Sequence, residues 1–92
     1  MAGGRINGDP DAMRALGRSI IESCSETGIG LNRLNQRFEE MADQNEWADA
    51  NQAEKYQAFG ELKHAIDGKL HDLLILAREI NLLGDRYEDA NS

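Results

Sequence analysis

Two histidines and two aspartates are the first residues of this chain whose types could do chemistry. His64 and His71 lie seven positions apart, with Asp67 between them and Asp72 beside the second. Three such groups could ligate a metal, and an acid next to an imidazole could tune a general base. One heptad of helix, however, separates the two rings by about 10.5 Å along the axis, too far for one ion to be shared without large reach. Neither histidine has a serine or cysteine at helical spacing, so no activated nucleophile is assembled. The spacing fits a solvated or interface-edge helix face, and no metal and no cofactor are expected.

Cys24 is the chain's single cysteine. It rules out an intramolecular disulfide, and with only two histidines available no tetrahedral Cys/His zinc site forms within one chain. Its place between Ile20 and Thr27 in an apolar seam suits a small, soft packing residue, with an intermolecular disulfide or a redox role as the alternative. Glu39, Glu40, Asp43 and Glu46 gather where the first helix should end. Acids there oppose the helix dipole, which implies fraying or a basic partner unless they are simply solvated. Trp47 follows, flanked by acids, amides and alanines. It either plugs the end of a hairpin or forms half of a groove for a partner segment, and the two roles are compatible. No glycine-rich phosphate loop follows a strand, because the chain has no valine and no period-two run.

The elements that carry these residues are two long helices. Asp9-Pro10-Asp11 supplies a cap, a first-turn proline and an acid that complements the dipole. From there Met13, Gly17, Ile20, Cys24, Thr27, Leu31, Leu34, Phe38 and Met41 recur at spacings of four and three, the seam of a helix wound on another helix. Leu16 and Ile21 widen its start. Gly28 and Gly30 soften its middle by about 1 kcal/mol each relative to alanine, yet the seam keeps its phase across them, which predicts one long helix. The polar stretch 42–51 reads as the turn, with Asp49 or Asn51 capping a second helix. In that helix Tyr56, Phe59, Lys63, Ile66, Leu70, Leu73, Ala77, Ile80, Gly84 and Tyr87 repeat the register. The expected organisation is a single domain over 1–92: a mobile N-terminus over 1–8, helix over about 9–42, a Trp-bearing turn over about 43–50, helix over about 51–87, and a tail over about 88–92.

Each helix is roughly 50 Å long, so the short turn must fold them into an antiparallel all-α hairpin. The second helix carries more apolar surface than one neighbour can cover. Leu62, Leu73, Leu76, Ile80 and Leu83 form a further stripe, with Leu74, Ile75 and Leu82 beside it, and a helix apolar on more than one side is covered on more than one side. Two hairpins are therefore expected to pair into a four-helix bundle dimer. The interface would be drawn from Ile20, Leu31, Leu34, Phe38, Ile66, Leu70, Leu73, Leu76, Ile80 and Leu83.

Composition agrees with a small helical domain in need of a partner. The chain has 92 residues, 40% hydrophobic and 29% charged, which is one domain's worth and short for burying a self-sufficient core. Net charge is −7, spread over both halves, −3 over 1–46 and −4 over 47–92. Neither half can displace counterions from phosphates or approach an anionic membrane surface, so no nucleic acid and no membrane insertion are expected. The opening MAGGRINGDP has no apolar core of a signal peptide. The longest apolar run, Leu73 to Ala77, falls far short of the ~20 residues of a membrane span.

These features together resemble the small WXG proteins, similar to the early secreted antigenic target, which are substrates of type VII secretion systems. The resemblance covers nearly the whole chain. It rests on length, the DPDAMRAL opening, one tryptophan between two heptad helices, Ala53, Tyr56 and Phe59 after it, and Tyr87 in DRYEDANS. It implies a helical hairpin that forms homodimers or heterodimers with a similar small helical protein and is exported folded without a cleaved signal peptide. It also implies a composite export signal made by the Trp turn of one subunit and the tail of its partner. Trp47 and Tyr87 are the matching residues. Asp49 stands in the position of the motif's glycine, and Asn91 in that of the tail's acid, so a partner or chaperone role is implied alongside that of substrate.

The function expected is thus that of a nonenzymatic WXG-like protein of a type VII secretion system. It would be secreted, or cytoplasmic before export, and would associate with a larger secreted effector and a secretion ATPase. The alternative is a cytoplasmic coiled-coil adaptor or regulatory subunit that is never exported. An enzyme would need the His64/His71 face to meet acids from a second chain.

Overall fold

The computed structural model describes residues 7–91. Helix α1 spans Pro10–Asp43 and helix α2 spans Ala50–Asn91. The two pack against each other as an all-helical antiparallel hairpin. Asp9 caps α1 as its position demands: its Oδ1 accepts from the N–H of Asp11 at 3.0 Å and of Ala12 at 3.4 Å. Gly28 and Gly30 lie inside an unbroken α1. The helix ends on Asn45, whose φ of 55° places it in the left-handed region. The N–H of Glu46 then reaches the Met41 carbonyl at 2.8 Å and that of Asn45 the Ala42 carbonyl at 3.1 Å, the paired bonds of a Schellman cap.

Asp49 caps α2, its Oδ1 accepting from the Gln52 N–H at 3.0 Å. The helix runs on to Asn91, past the expected end near 87, so most of the anticipated tail is helical. Acids in a last turn work against the dipole, but here Arg14 of α1 counters them. Its guanidinium donates to Asp85 at 2.7 Å and to Glu88, tying the end of α2 to the start of α1. Of the N-terminal segment expected to be mobile, residues 1–6 lie outside those described, as does Ser92. Gly8 lies directly beneath the Tyr87 ring, leaving no room for a Cβ.

The chain divides into two compact units. The first joins the residues up to Cys24 with those from His71 onward. Its seam is the expected one except at Leu73, which is 40% exposed: Gly17, Cys24, Ala77 and Gly84 are buried, and Met13, Ile20, Ile80 and Tyr87 are half-buried. Gly17 meets the Asn81 amide so closely that a Cβ would overlap it.

The second unit spans Ser25–Leu70. Here Leu31 and Gln52 are buried, and Phe38 stacks on Tyr56 and lies tilted against Phe59, with ring centroids 5.5 and 5.2 Å away. The α1 seam in this unit departs from the heptad reading. Gly28 and Asn35 are half-buried, whereas Thr27 and Leu34 are exposed. An α-helix turns once per 3.6 residues, so a strict 3.5 repeat drifts by about 20° per heptad and the buried line moves to the next residue. Leu34 is thereby freed from the seam.

Candidate interaction surface

Among the described residues only Cys24, Leu31 and Ala77 are buried apolar side chains, while twelve large apolar residues are exposed. Two helices side by side leave each with one covered flank, so this excess follows from the architecture. What matters for function is how the exposed residues are distributed.

In the first unit, Arg14 bridging to Asp85 marks one side of the helix pair. Leu16 sits two residues beyond Arg14, and Leu83 two before Asp85, so each lies about 160° round its helix from the bridge; Leu76 lies about 180° round. Leu16, Leu76 and Leu83, 52%, 45% and 39% exposed, therefore occupy the other side. Half-buried Ile20 and Ile80, with Leu73, fill the middle of that side. The remaining α1 residues there are Ala12, Ser19 and Ser23, so its α1 half bears no charge, while on α2 Asp72 and Glu79, about 140° and 120° round from Asp85, border the leucines. A charge-poor apolar centre is the compositional mark of an interface core.

The second unit repeats the asymmetry. The Tyr56 hydroxyl donates to Glu39 at 2.6 Å on one side. Leu34 and Leu62, well round their helices at about 140° and 120° from those residues, are exposed on the other. The hydrogen bond to the Glu39 carboxylate, followed by burial, raises the Tyr56 phenol above its ordinary pKa. A groove of about 740 Å³ lies beside this pair, lined by Asn35, Gln52, Tyr56, Glu61 and His64 among others. It offers amides, a phenol, a carboxylate and an imidazole for hydrogen bonding.

Trp47 is half-buried on the turn, its ring centroid 6.4 Å from that of Phe38. Its indole N–H donates at 3.1 Å to the same Asp49 oxygen that caps α2. One carboxylate thus starts a helix and fixes the tryptophan's orientation, which glycine in that position could not do. Gln52, which sequence reading passed over, completes the turn by donating at 2.9 Å to the Phe38 carbonyl. Tyr87 is half-buried in the first unit and Trp47 belongs to the second.

The other candidates resolve differently. His64 and His71 are both exposed, and Asp67 accepts from Lys63 at 3.0 Å. Among the described residues no three His, Cys, Asp or Glu side chains gather to hold a metal ion. The acidic cluster ending α1 is drawn on by its own chain: Glu46 pairs with Arg37 at 3.1 Å and Glu39 accepts from Tyr56 and Asn35, and the helix keeps its form to Asp43. Arg37 is held more firmly in its charged form by that bond. Cys24 is 7% exposed, in keeping with a packing role. No described helix is long and apolar enough to cross a membrane. No family model, curated protein or solved structure matches this chain.

Proposed function

We propose that this chain is a nonenzymatic helix-pairing protein of the WXG type, acting in a type VII secretion system as a substrate or as the partner of a larger exported protein. The observation that carries the pairing is the apolar side of the first unit, uncharged along α1, where Leu16, Leu73, Leu76 and Leu83 remain 39–52% exposed. Covering it with the like side of a second hairpin makes a four-helix bundle, and full burial of each leucine contributes on the order of 1 kcal/mol per copy. A second copy is the simplest occupant, because one self-complementary patch then serves both chains.

Assignment to type VII secretion rests on the sequence resemblance and on the treatment of Trp47. The indole is kept half-buried and oriented by Asp49, as a recognition residue must be if it is to present one face to a partner. Trp47 and Tyr87 would then form a composite surface from two different copies. Detection of the chain in the culture medium of its native host, with and without the secretion ATPase, tests the reading. ATPase-dependent appearance supports it; retention in the cell of both this chain and any protein that co-purifies with it overturns it.

A further inference from the structure

Beyond that pairing, we infer that α2 carries a second docking site, a hole that receives the α2 of another copy in antiparallel orientation. Glu79, Leu82, Leu83 and Arg86 surround a depression of about 270 Å³. Their spacing, i, i+3, i+4 and i+7, is that of the four residues which form a hole for a knob of a facing helix in a coiled coil. Glu79 and Arg86 lie about 160° to 180° round α2 from Ala77, whose side chain is completely buried against α1. The hole therefore opens toward the back of α2 and shares only Leu83, at its edge, with the flank of Leu16 and Leu76. Leu82, 51% exposed, and Ile75, 41% exposed, extend its apolar floor along the back.

The charges decide the occupant and its direction. Glu79 and Arg86 sit at opposite poles of the hole, symmetric about Leu82 and Leu83, and no ion pair engages either among the described residues. An identical helix laid antiparallel about that centre sets Leu82 against Leu83 and meets each Glu79 with an Arg86, twice over by the two-fold symmetry. Laid parallel, the same helix opposes Glu79 with Glu79 and Arg86 with Arg86. A few leucines and two exposed ion pairs make a weak contact, so it appears as a concentration-dependent step that joins pairs of hairpins into fours.

Sedimentation velocity over about 10 μM to 1 mM reads this step. The wild type is expected to grow from two chains to four; Glu79→Arg, which opposes Arg86 with another cation, should raise the dissociation constant of that step at least about tenfold. Glu79→Arg with Arg86→Glu restores opposite charges and should recover it. In a Leu16→Glu/Leu76→Glu background, which blocks only the first pairing, the same charge-dependent step should join single chains into twos, so the two contacts fail separately. All four substituted side chains, Leu16, Leu76, Glu79 and Arg86, are exposed, and circular dichroism checks the folding of each variant. Absence of any concentration-dependent step, or a Glu79→Arg effect that the double swap does not reverse, overturns the inference.

Discussion

Replacing helix glycines by alanine should have opposite effects at Gly60 and at Gly17. Gly60 lies inside α2 with nothing within 4 Å of where a Cβ would stand. Alanine there adds only helix propensity, about 1 kcal/mol, which in a chain of this size raises the melting temperature by roughly 4–8 °C. Gly28, equally open, should behave alike, and the two gains should add because the sites share no neighbour. At Gly17 a Cβ would overlap the Asn81 amide, whose buried Oδ1 already lacks a hydrogen-bond partner. Overpacking of this kind costs about 1–3 kcal/mol, which outweighs the propensity gain, so Gly17→Ala should destabilise by about 1 kcal/mol. Asn81→Ala in the same chain removes both the clash and the orphaned acceptor and should turn the Gly17→Ala effect positive. Thermal and urea unfolding followed by circular dichroism at one fixed protein concentration measure all five variants. A Gly17→Ala protein as stable as Gly60→Ala would refute the close approach of the helices at that level.

Three further outcomes follow from the turn, from the Tyr56–Glu39 bond and from the Arg14 bridge. Asp49→Ala removes the α2 cap and the indole's partner together; it should lower stability by about 1 kcal/mol and shift the emission of the single tryptophan to the red, and unchanged emission would remove Asp49 from the orientation of Trp47. Tyr56 should ionise above the usual tyrosine range, and Glu39→Gln should bring that titration down, as read by ultraviolet absorbance. Because the folded-state pKa is the higher one, the stabilisation is complete below the unfolded tyrosine's pKa and is lost as pH rises through the folded value; equal titration in the two proteins would contradict the Tyr56–Glu39 bond. Arg14→Ala should fray the last turns of α2, giving a loss of helical signal and faster amide exchange over residues 85–91, since its guanidinium is what holds Asp85 and Glu88 to α1.

How much of this was legible in the sequence depended on the kind of signal. The cap at Asp9 was plain, because a short polar side chain before an apolar period has one strong use, and the cap of α2 was narrowed to Asp49 or Asn51, of which the structure selects Asp49. Continuity of α1 across Gly28 and Gly30 followed from the phase of the seam. The heptad reading of α1 nevertheless exchanged Gly28 for Thr27 and Asn35 for Leu34, since hydrophobicity points to the larger apolar residue while the geometry of a 3.6-residue turn selects its neighbour. The end of α2 was misjudged because its support, Arg14, lies more than seventy positions away, and no local pattern reports a partner at that distance. The acidic run at the end of α1 looked unpaired for the same reason, as Tyr56 reaches Glu39 from the other helix. Gln52 gave no warning at all: a glutamine in a first turn is usually solvated, and only the packed hairpin shows it on the Phe38 carbonyl. The excess of apolar surface on α2 was visible as a stripe; its division into a pairing flank and an adjoining four-residue hole required the placement of Arg14, Asp85 and Ala77.

The most direct test of the central claim is the mass of the folded protein in solution, by light scattering at about 10 μM, for the wild type and for Leu16→Glu/Leu76→Glu. Both substituted leucines are about half exposed, so the intrachain seam is untouched. Each carboxylate placed in the pairing face would be buried unpaired, at a penalty of several kcal/mol. The wild type is expected at about twice the 10.2 kDa chain mass and the variant as a single helical chain. A wild type that is a stable, fully helical monomer, or a variant that pairs as strongly as the wild type, would contradict pairing through this face.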